Sequence, residues 1–325
     1  MRRLDLYVAG AATLLCGATT DLRAEPFLVR NQHPLVALYG LPSPLPARLP
    51  AAGATRIAGV INWSSFAVTE AQGAAGFTLD GEVFETRLHL DHAFGERFAL
   101  HAELAYRDLS EGSLDGFIEN WHDVFNLPNG SRTELPADQL LLDYHTAAAT
   151  LLHVEESVSG IADIPISVGY QLLASETSAA SAWLSVKAPA GKAEDLTGSG
   201  ALDVALSVAG DHQVAEGWQV FGQANLVWLG DGDLLPDLQE SYAWSALAGV
   251  TWNPWRALDL TVQFEANSAV LDTGLDGLDG DAVVLTFGGS YRTAGAWQFD
   301  LGISEDIDVD ASPDVVFNLG VRHGF

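Results

Sequence analysis

The chain has 325 residues and a formal net charge of −28, yet 48% of its residues are hydrophobic and its mean hydropathy is slightly positive. A soluble protein this acidic would carry its charge on a largely polar surface, and phosphate contacts need the Lys and Arg that are scarce here. The composition therefore excludes nucleic acid as a natural partner. It suits a membrane barrel, in which an apolar belt faces lipid and the loops hold the charge.

The first 24 residues are typical of a secretory signal peptide, with a basic start, a short apolar run and a small-residue cleavage site at Ala24. Cleavage there removes Cys16, the one cysteine in the sequence, so no disulfide framework is expected. We expect residues 25–52 to form a periplasmic segment and residues 53–325 to form the barrel. No later apolar run reaches the roughly 18 residues that a membrane helix needs.

From residue 53 onward the sequence repeats the inside/outside alternation of barrel strands, which need about 9–11 residues each. In residues 258–267 every odd position is polar and every even position apolar. Further strands of this kind are 82–91, 98–107, 218–228, 242–252, 283–291 and 297–303. Short and long connections alternate, and a long loop through 72–76 is expected after the first strand. The pattern predicts an all-β, antiparallel, up-and-down transmembrane barrel of about 12 strands. The alternative is 14 strands, if residues 139–153 form another spanning hairpin.

The polar faces of these strands predict the side chains that line the lumen. These are Glu85, Arg87, His89, His101, Glu103, Arg107, Glu265 and Arg322. Mixed charge inside a barrel most often forms paired networks that offset the cost of desolvation. It can also form a constriction that selects ions. Both interpretations stay open.

The long connection 109–158 contains a predicted short helix. Asp115 can cap it, Phe117 and Trp121 fall on one face, and the turn at 127–130 stops it. One hypothesis is that the segment folds into or over the barrel mouth as a constriction. Its candidate residues are Asp115, Phe117, Trp121, His122 and Asp123. The alternative is a helix lying on the outer membrane surface.

Acidic loops supply weak candidates for calcium ligands, since calcium takes 6–8 oxygen atoms in a flexible shell. The candidates are Asp231, Asp233, Asp276, Asp279 and Asp281. Their spacing matches no EF-hand, and charge runs are commonly just solvated. We therefore expect no resident metal and no cofactor, although divalent ions could bridge these loops to lipopolysaccharide.

The last strand, 315–325, is apolar on one face and ends on an aromatic residue. The apolar positions are Phe317, Leu319, Val321 and Phe325. This pattern is typical of the signal by which bacterial outer-membrane barrels are recognised for assembly. It predicts the barrel-assembly machinery and periplasmic chaperones as partners, and outer-membrane lipid with lipopolysaccharide as surroundings. His323 departs from the usual pattern, which has an aromatic or aliphatic residue there.

Several phrases resemble an uncharacterised proteobacterial family of outer-membrane proteins catalogued as a domain of unknown function. They are Val29-Arg30-Asn31-Gln32-His33-Pro34-Leu35, Leu114-Asp115-Gly116-Phe117-Ile118, His122-Asp123, Leu127-Pro128-Asn129-Gly130, Lys187-Ala188-Pro189-Ala190-Gly191, Gly198-Ser199-Gly200-Ala201-Leu202-Asp203 and Ser304-Glu305-Asp306. The resemblance implies a barrel in the outer membrane and implies no catalytic residues. The lysine-proline-glycine and glycine-serine-glycine phrases also resemble barrel families linked to uptake of aromatic compounds.

The sequence thus predicts a narrow channel or uptake porin for small solutes in the bacterial outer membrane. The alternative is a non-conducting barrel with a filled interior, serving as a structural or surface-adhesion protein. An outer-membrane lipid hydrolase would need a nucleophile, a His and an orienting partner on the lipid-facing wall. The outward faces are almost wholly apolar, and the outward His323 has no nucleophile beside it. We therefore expect no enzyme; the transported solute is not indicated.

Overall fold

A computed structural model describes residues 25–125, 130–308 and 311–325. The predicted signal peptide, 1–24, lies outside the described residues. The strands are β1 (Thr55–Gln72), β2 (Ala75–Ala93), β3 (Phe98–Ser110), β4 (Leu141–His145), β5 (Thr150–Val154), β6 (Val158–Ile161), β7 (Ile164–Ala174), β8 (Ser178–Ala188), β9 (Asp203–Ala215), β10 (Trp218–Trp228), β11 (Tyr242–Trp255), β12 (Leu258–Asn267), β13 (Ala282–Arg292), β14 (Trp297–Asp308) and β15 (Val315–Gly324). The helices are α1 (Asp115–Phe125) and α2 (Asp276–Asp279), with 3₁₀ turns at Val36–Leu38, Arg132–Glu134 and Pro236–Leu238.

The sheet closes into an antiparallel barrel of 12 strands, as the sequence predicted. Strands β1, β2, β3 and β7 to β15 pair in chain order, and β15 pairs with β1 from Arg56↔Gly324 to Ser65↔Val315. Strand β6 pairs with the far end of β3, beside β7. Closure leaves no edge strand in the wall, which a lipid-exposed sheet requires.

The 14-stranded alternative is wrong. Residues 141–154 do form a hairpin, β4 and β5, but its strands have five residues each and cannot span a bilayer. Strand β4 pairs with the protruding end of β2, from Gly76↔His145 to Asp80↔Leu141. The hairpin therefore extends the wall beyond the barrel mouth.

The two ends of the barrel differ in their connections. At one end, which we call the turn rim, the connections are 94–97, 175–177, 216–217, 256–257 and 293–296. At the other, the loop rim, long connections follow β3, β8, β10 and β12. The expected long loop through 72–76 is wrong: β1 and β2 stay paired up to Gln72↔Ala75, and Gly73 takes a positive φ of 67° in the turn. Phe66, Phe77 and Leu79 keep this extension ordered because they are buried under the loops.

The outer face of the wall carries a belt of exposed apolar side chains, among them Leu88, Leu104, Leu206, Phe264 and Leu301. Aromatic residues gather near the turn rim, where the Trp218 and Trp252 rings stack at 5.8 Å and Trp297 lies 4.3 Å from His323. Such an apolar band with aromatic edges fits a lipid environment. Among the described residues, neither helix is long and apolar enough to cross a membrane.

Residues 25–50, which we call the plug, lie inside the barrel. Residue Glu25 lies at the turn rim, where its carboxylate pairs with Arg56 and Arg322 at 2.6 and 2.8 Å. The plug rises to the loop rim, turns at Val36–Leu38 and descends until Arg48 reaches the carbonyl of Ser175 at the turn rim. The sequence placed this segment outside the barrel. A barrel of eight strands is just filled by its own side chains, so the wider lumen of 12 strands leaves room for it.

Candidate functional site

The lumen is the candidate functional site, and three inward glutamines fix the plug within it. Gln263 accepts from the backbone N–H of Phe27 at 3.1 Å, and Gln223 accepts from that of Leu45 at 2.7 Å. Gln171 accepts from the backbone N–H of Leu49 at 2.8 Å. Each amide also donates to a plug carbonyl, on Phe27, Ser43 and Ala47 respectively. These side chains meet the hydrogen-bonding demand of a buried backbone that has no strand partner.

Arg30 ties the two legs of the plug together near its apex. Its guanidinium donates to the carbonyls of Ala37, Tyr39 and Leu41 at 2.9, 3.3 and 2.8 Å. A planar guanidinium can serve three carbonyls at once because its donors point in fixed, divergent directions. The apex is therefore a self-contained turn.

A buried lysine of the wall holds that apex. Lys187 on β8 lies 2.6 Å from Asp163 and 3.0 Å from Asp203, and it donates to the carbonyl of Leu38 at 3.1 Å. The other end of the contact is acidic: Asp203 accepts from the backbone N–H of Gly40 at 2.8 Å. Lys187 and Asp203 thus hold the backbone of the plug at Leu38 and Gly40, where it leaves the turn.

A second network, which we call the ionic grid, lies on the inward faces of β2 and β3. Its members are Glu85, Arg87, His89, Asp91, His101, Glu103 and Arg107. Arg87 bridges Glu85 at 2.7 Å and Glu103 at 2.5 Å, while Arg107 pairs with Glu85 at 2.8 Å. The plug contacts the grid through Ser43, whose hydroxyl donates to Glu103 at 3.0 Å. Pairing of this kind offsets the cost of burying these charges in the lumen.

The loop rim is closed by an apolar cluster, which we call the cap cluster. The plug contributes Leu35, Val36, Leu38, Tyr39 and Leu41. The extended strands and loops contribute Phe66, Phe77, Leu79, Val83, Leu109, Leu140, Leu142, Tyr144, Leu152, Leu196, Ala205, Val227, Leu229, Leu234, Leu235, Ala243, Val270, Leu271, Leu275, Leu278 and Ala311. The apex of the plug is therefore buried in a hydrophobic core formed by the loops. Below this cluster, a cavity of about 10 Å³ lies between Arg30, Leu45 and Lys187, room for roughly one water.

All eight predicted lumen residues lie on the inner side of the wall. Glu85, Arg87, His89, His101, Glu103 and Arg107 belong to the ionic grid. Glu265 accepts from the backbone N–H of Asn31 at 3.3 Å, and Arg322 pairs with Asp300 at 2.6 Å near the turn rim. The six residues of the ionic grid therefore meet in one network. Glu265 and Arg322 instead hold the ascending leg of the plug.

The predicted constriction helix, α1, lies outside the wall. Phe117 meets the outward Phe317 of β15 at 5.7 Å, and Ile118 packs on Val315. Trp121 donates to the outward Glu305 at 3.0 Å. The hypothesis of a constriction inside the mouth is therefore wrong, because the helix packs on the outer face of the barrel through the buried Ile118 and the half-exposed Phe117. The predicted stop at 127–130 falls largely outside the described residues.

Two further contacts attach α1 to the wall. Glu82, an outward residue of β2, accepts from the backbone N–H groups of Ser113 and Leu114. Asp115 pairs with the buried Arg132, which also reaches Asp314. Of the other constriction candidates, His122 lies 3.7 Å from Glu305, and Asp123 is exposed.

The calcium candidates are dispersed over two loops. Asp279 in α2 accepts from Thr273 and Gly274 and so organises its own loop. Within the described ranges, the one group of three converging metal-ligating side chains is His89, His101 and Glu103.

A separate polar group lies on the β4–β5 hairpin. Asp143 is 3.0 Å from both His145 and His153. Partial burial acts to raise the pKa of Asp143, but the hydrogen bonds from the two imidazoles outweigh it, and the pKa is lowered. Because both imidazoles are about half exposed, the group is a solvated feature of the loop rim.

Comparison with known proteins gives a family and a fold. Residues 9–325 match the family described as "Protein of unknown function (DUF3187)". The chain belongs to this family. A comparison with curated proteins found no match.

Solved structures similar to this DUF3187 protein include proteins described as outer-membrane channels and porins. An outer membrane channel of the COG4313 group from Pseudomonas putida F1 is 15% identical, with a TM-score of 0.58 over 87% of this chain and 99% of that one. The KdgM porin is 9% identical, with a TM-score of 0.45 over 83% and 99%. The Pseudomonas putida toluene transporter TodX is 10% identical, with a TM-score of 0.40 over 93% and 99%. The first of these likenesses, at 15% identity, shows the barrel fold alone.

Sequence reasoning missed the plug and its binding residues in the DUF3187 barrel. The phrase Val29–Leu35 was noted for its resemblance, but its run of polar residues has neither a strand nor a helix period. Lys187 and Asp203 occupy inward positions of β8 and β9 and could have been found by extending the alternation. A lone inward lysine needs an acidic partner, and that need is the signal that was available.

Proposed function

We propose that this protein is an outer-membrane channel for small solutes, closed by the plug and opened when the plug moves toward the turn rim. The turn rim faces the periplasm, since short turns lie on that side in outer-membrane barrels. The similar COG4313 structure, with a TM-score of 0.58, is described as an outer membrane channel, and this description supports the same proposal.

One observation carries the proposal: the wall is complete without the plug. Within the described residues, no β-pair joins residues 25–52 to any strand, and the seam between β1 and β15 closes independently of them. Both legs of the plug end at the turn rim, so it is a hairpin that can leave without unthreading. Its polar contacts with the wall can be exchanged for contacts with water, which moderates the cost of movement.

The second candidate is a non-conducting barrel with a filled interior. The cap cluster favours it, because burial of Leu35, Val36 and Leu38 at the loop rim opposes withdrawal of the apex. Each fully buried aliphatic side chain stabilises the closed state by about 1.5–3 kcal/mol. The two candidates differ in whether the plug moves under native conditions.

A reversible tether separates them. Expressed from residue 25, the chain has no cysteine, so Asn31→Cys and Asn267→Cys would form the only thiol pair. The native amides at these positions are 3.0 Å apart, within reach of a short disulfide-forming bifunctional reagent. We expect the untethered protein to show discrete openings in planar bilayers. The tether should abolish them, and a reductant should restore them.

The matched control is Thr286→Cys with Ser304→Cys. Their hydroxyls are 2.7 Å apart on neighbouring strands β13 and β14, so a link between them joins two strands of the wall and leaves the plug untethered. It should leave the openings unchanged. Openings that persist with the plug tethered would contradict plug gating. Silence before and after reduction, with currents only on deletion of residues 25–50, would instead establish the closed barrel. Reversal potentials in salt gradients would then give the ion preference of any open state.

A further inference from the structure

Three side chains of the ionic grid converge in a way that salt bridging alone does not require. His89 on β2 lies directly opposite Glu103 on β3, and His101 comes two residues before Glu103 in β3. Their ligand atoms all lie within 4.8 Å of one another. The nearest pair is His101 Nε2 and Glu103 Oε1, at 3.1 Å.

His89 supplies an independent observation. Its side chain is 2% exposed, and among the described residues neither ring nitrogen has a hydrogen-bond partner. A buried polar group without a partner destabilises the fold, because the hydrogen bonds it made with water are not replaced. The imidazole ring lies beside that of His101, with ring centroids 5.6 Å apart. An unsatisfied imidazole next to a second imidazole and a carboxylate has the chemistry of a ligand.

Neighbouring residues fix the orientation of two members of this group. Asp91 holds His101 Nδ1 at 2.9 Å, which directs Nε2 toward Glu103. Arg87 and Ser43 hold the other oxygen of Glu103 at 2.5 and 3.0 Å and leave Oε1 available. A carboxylate behind a ligating histidine is the usual outer-shell partner that fixes ring orientation.

We propose that His89, His101 and Glu103 form a binding site for a divalent transition-metal ion of the zinc type. Two imidazoles and one carboxylate suit Zn²⁺, with a fourth position left for water. Zinc bonds of about 2.0–2.2 Å in a tetrahedral shell place ligands roughly 3.3 Å apart, so the group must contract by about 1.5 Å at most. The ion replaces the proton that His101 Nε2 shares with Glu103, because a ligating imidazole nitrogen must be deprotonated.

The site lies where the plug meets the wall. Ser43 belongs to the descending leg and shares Glu103 with Arg87, so an ion at this point contacts the network that holds the plug. The proposal concerns binding and does not depend on conduction.

Cobalt is the probe, because tetrahedral Co²⁺ absorbs strongly in the visible region and Zn²⁺ displaces it. Untagged protein expressed from residue 25, in detergent and stripped with a chelator, should take up one Co²⁺ with an intense visible band. His89→Gln should abolish the band. His92→Gln is the matched control: it lies on the same strand, and its Nδ1 faces Thr55 outside the grid.

Asp91→Asn keeps all three ligands and should weaken Co²⁺ binding about 10–100-fold. Heat-dependent gel mobility would confirm that each variant is a folded barrel. If His89→Gln does not fold, the Co²⁺ affinity of Asp91→Asn tests the proposal on its own. Absence of the band in the parent protein would overturn the proposal. Binding unaffected by both variants would do so as well. A band lost instead in His145→Gln/His153→Gln would assign the metal to the exposed hairpin and reject the lumen site.

Discussion

The two halves of the lumen hold the plug by different physics. Toward the loop rim, the side chains of the apex are buried in the apolar cap cluster, with Leu35 and Leu79 fully excluded from solvent, while Lys187 and Asp203 bind backbone groups beside it. Toward the turn rim, the legs contact the ionic grid and the paired charges of Glu25, Arg56 and Arg322. Apolar packing tolerates no inserted charge, whereas an ion-pair network tolerates rearrangement but not the loss of one member. Burial of the apex therefore opposes movement of the plug most strongly, whereas the ion pairs of the turn-rim half can rearrange.

The largest effect should come from placing a charge in the apolar half. Leu35→Asp puts an unpaired carboxylate into the cap cluster, which costs several kcal/mol, so the apex should leave the cluster. The measurement is the rate at which a thiol reagent labels an Asn31→Cys background, which should rise by orders of magnitude. Leu35→Met is the control, since a similar-volume swap costs less than about 1.5 kcal/mol. Unchanged labelling in Leu35→Asp would show that the cap cluster does not lock the plug.

Removing one member of the ionic grid should have the next largest effect. Glu85 is fully buried and accepts from both Arg87 and Arg107, so Glu85→Gln removes the carboxylate paired with Arg107 and leaves Arg87 paired with Glu103. We expect a loss of about 3–5 kcal/mol in barrel stability, measured by denaturant unfolding. Thr286→Ala, which removes a buried neutral hydroxyl pair with Ser304, is the comparison. It should cost about 1 kcal/mol. Equal losses would mean that the grid charges are not paired as described.

A smaller effect is expected where the two halves meet. Arg30→Lys keeps the charge but replaces a three-carbonyl donor with a point charge, so the legs of the plug should loosen without leaving. In the same Asn31→Cys background, thiol labelling should accelerate by about tenfold, equivalent to roughly 1.4 kcal/mol. If Arg30→Lys and Leu35→Asp accelerate labelling equally, the guanidinium of Arg30, rather than the apolar packing of the apex, holds the plug in place.

The smallest effect should come from α1, which belongs to neither half. Phe117→Ala removes a half-exposed ring that meets Phe317, and such aromatic pairs contribute about 0.5–1.5 kcal/mol. Stability should fall by that amount in the unfolding assay, and single-channel conductance should not change. A larger single-channel conductance in Phe117→Ala would instead show that α1 narrows the pore.

The wall was predictable because its physics is local and periodic. Residues 258–267 alternate without exception, and the structure has β12 at Leu258–Asn267. The long connection 109–158 was harder, since the apolar stripe of α1 shows that the helix is buried but not on which side of the wall. Val315 and Phe317 decide that, and they lie about 200 residues away in sequence.

The plug was hidden for a related reason. Its backbone is satisfied by Gln171, Gln223 and Gln263 rather than by neighbouring strands, so it carries none of the alternation that pairing imposes. Likewise, His89 and Glu103 were predicted to face inward, but their opposition depends on the register between β2 and β3. Hairpin register is set by turn geometry and packing, which alternation alone does not specify.

The hairpin course of the plug also bears on the order of biogenesis. The plug lies just before β1 in the sequence, and both of its legs end at the turn rim. Strands β1 and β15 can therefore pair before the plug enters the barrel. Closure of the wall and entry of the plug can therefore be separate steps. A newly integrated cylinder would pass through an unobstructed stage, and its lifetime would set how leaky the envelope becomes while the protein is being made.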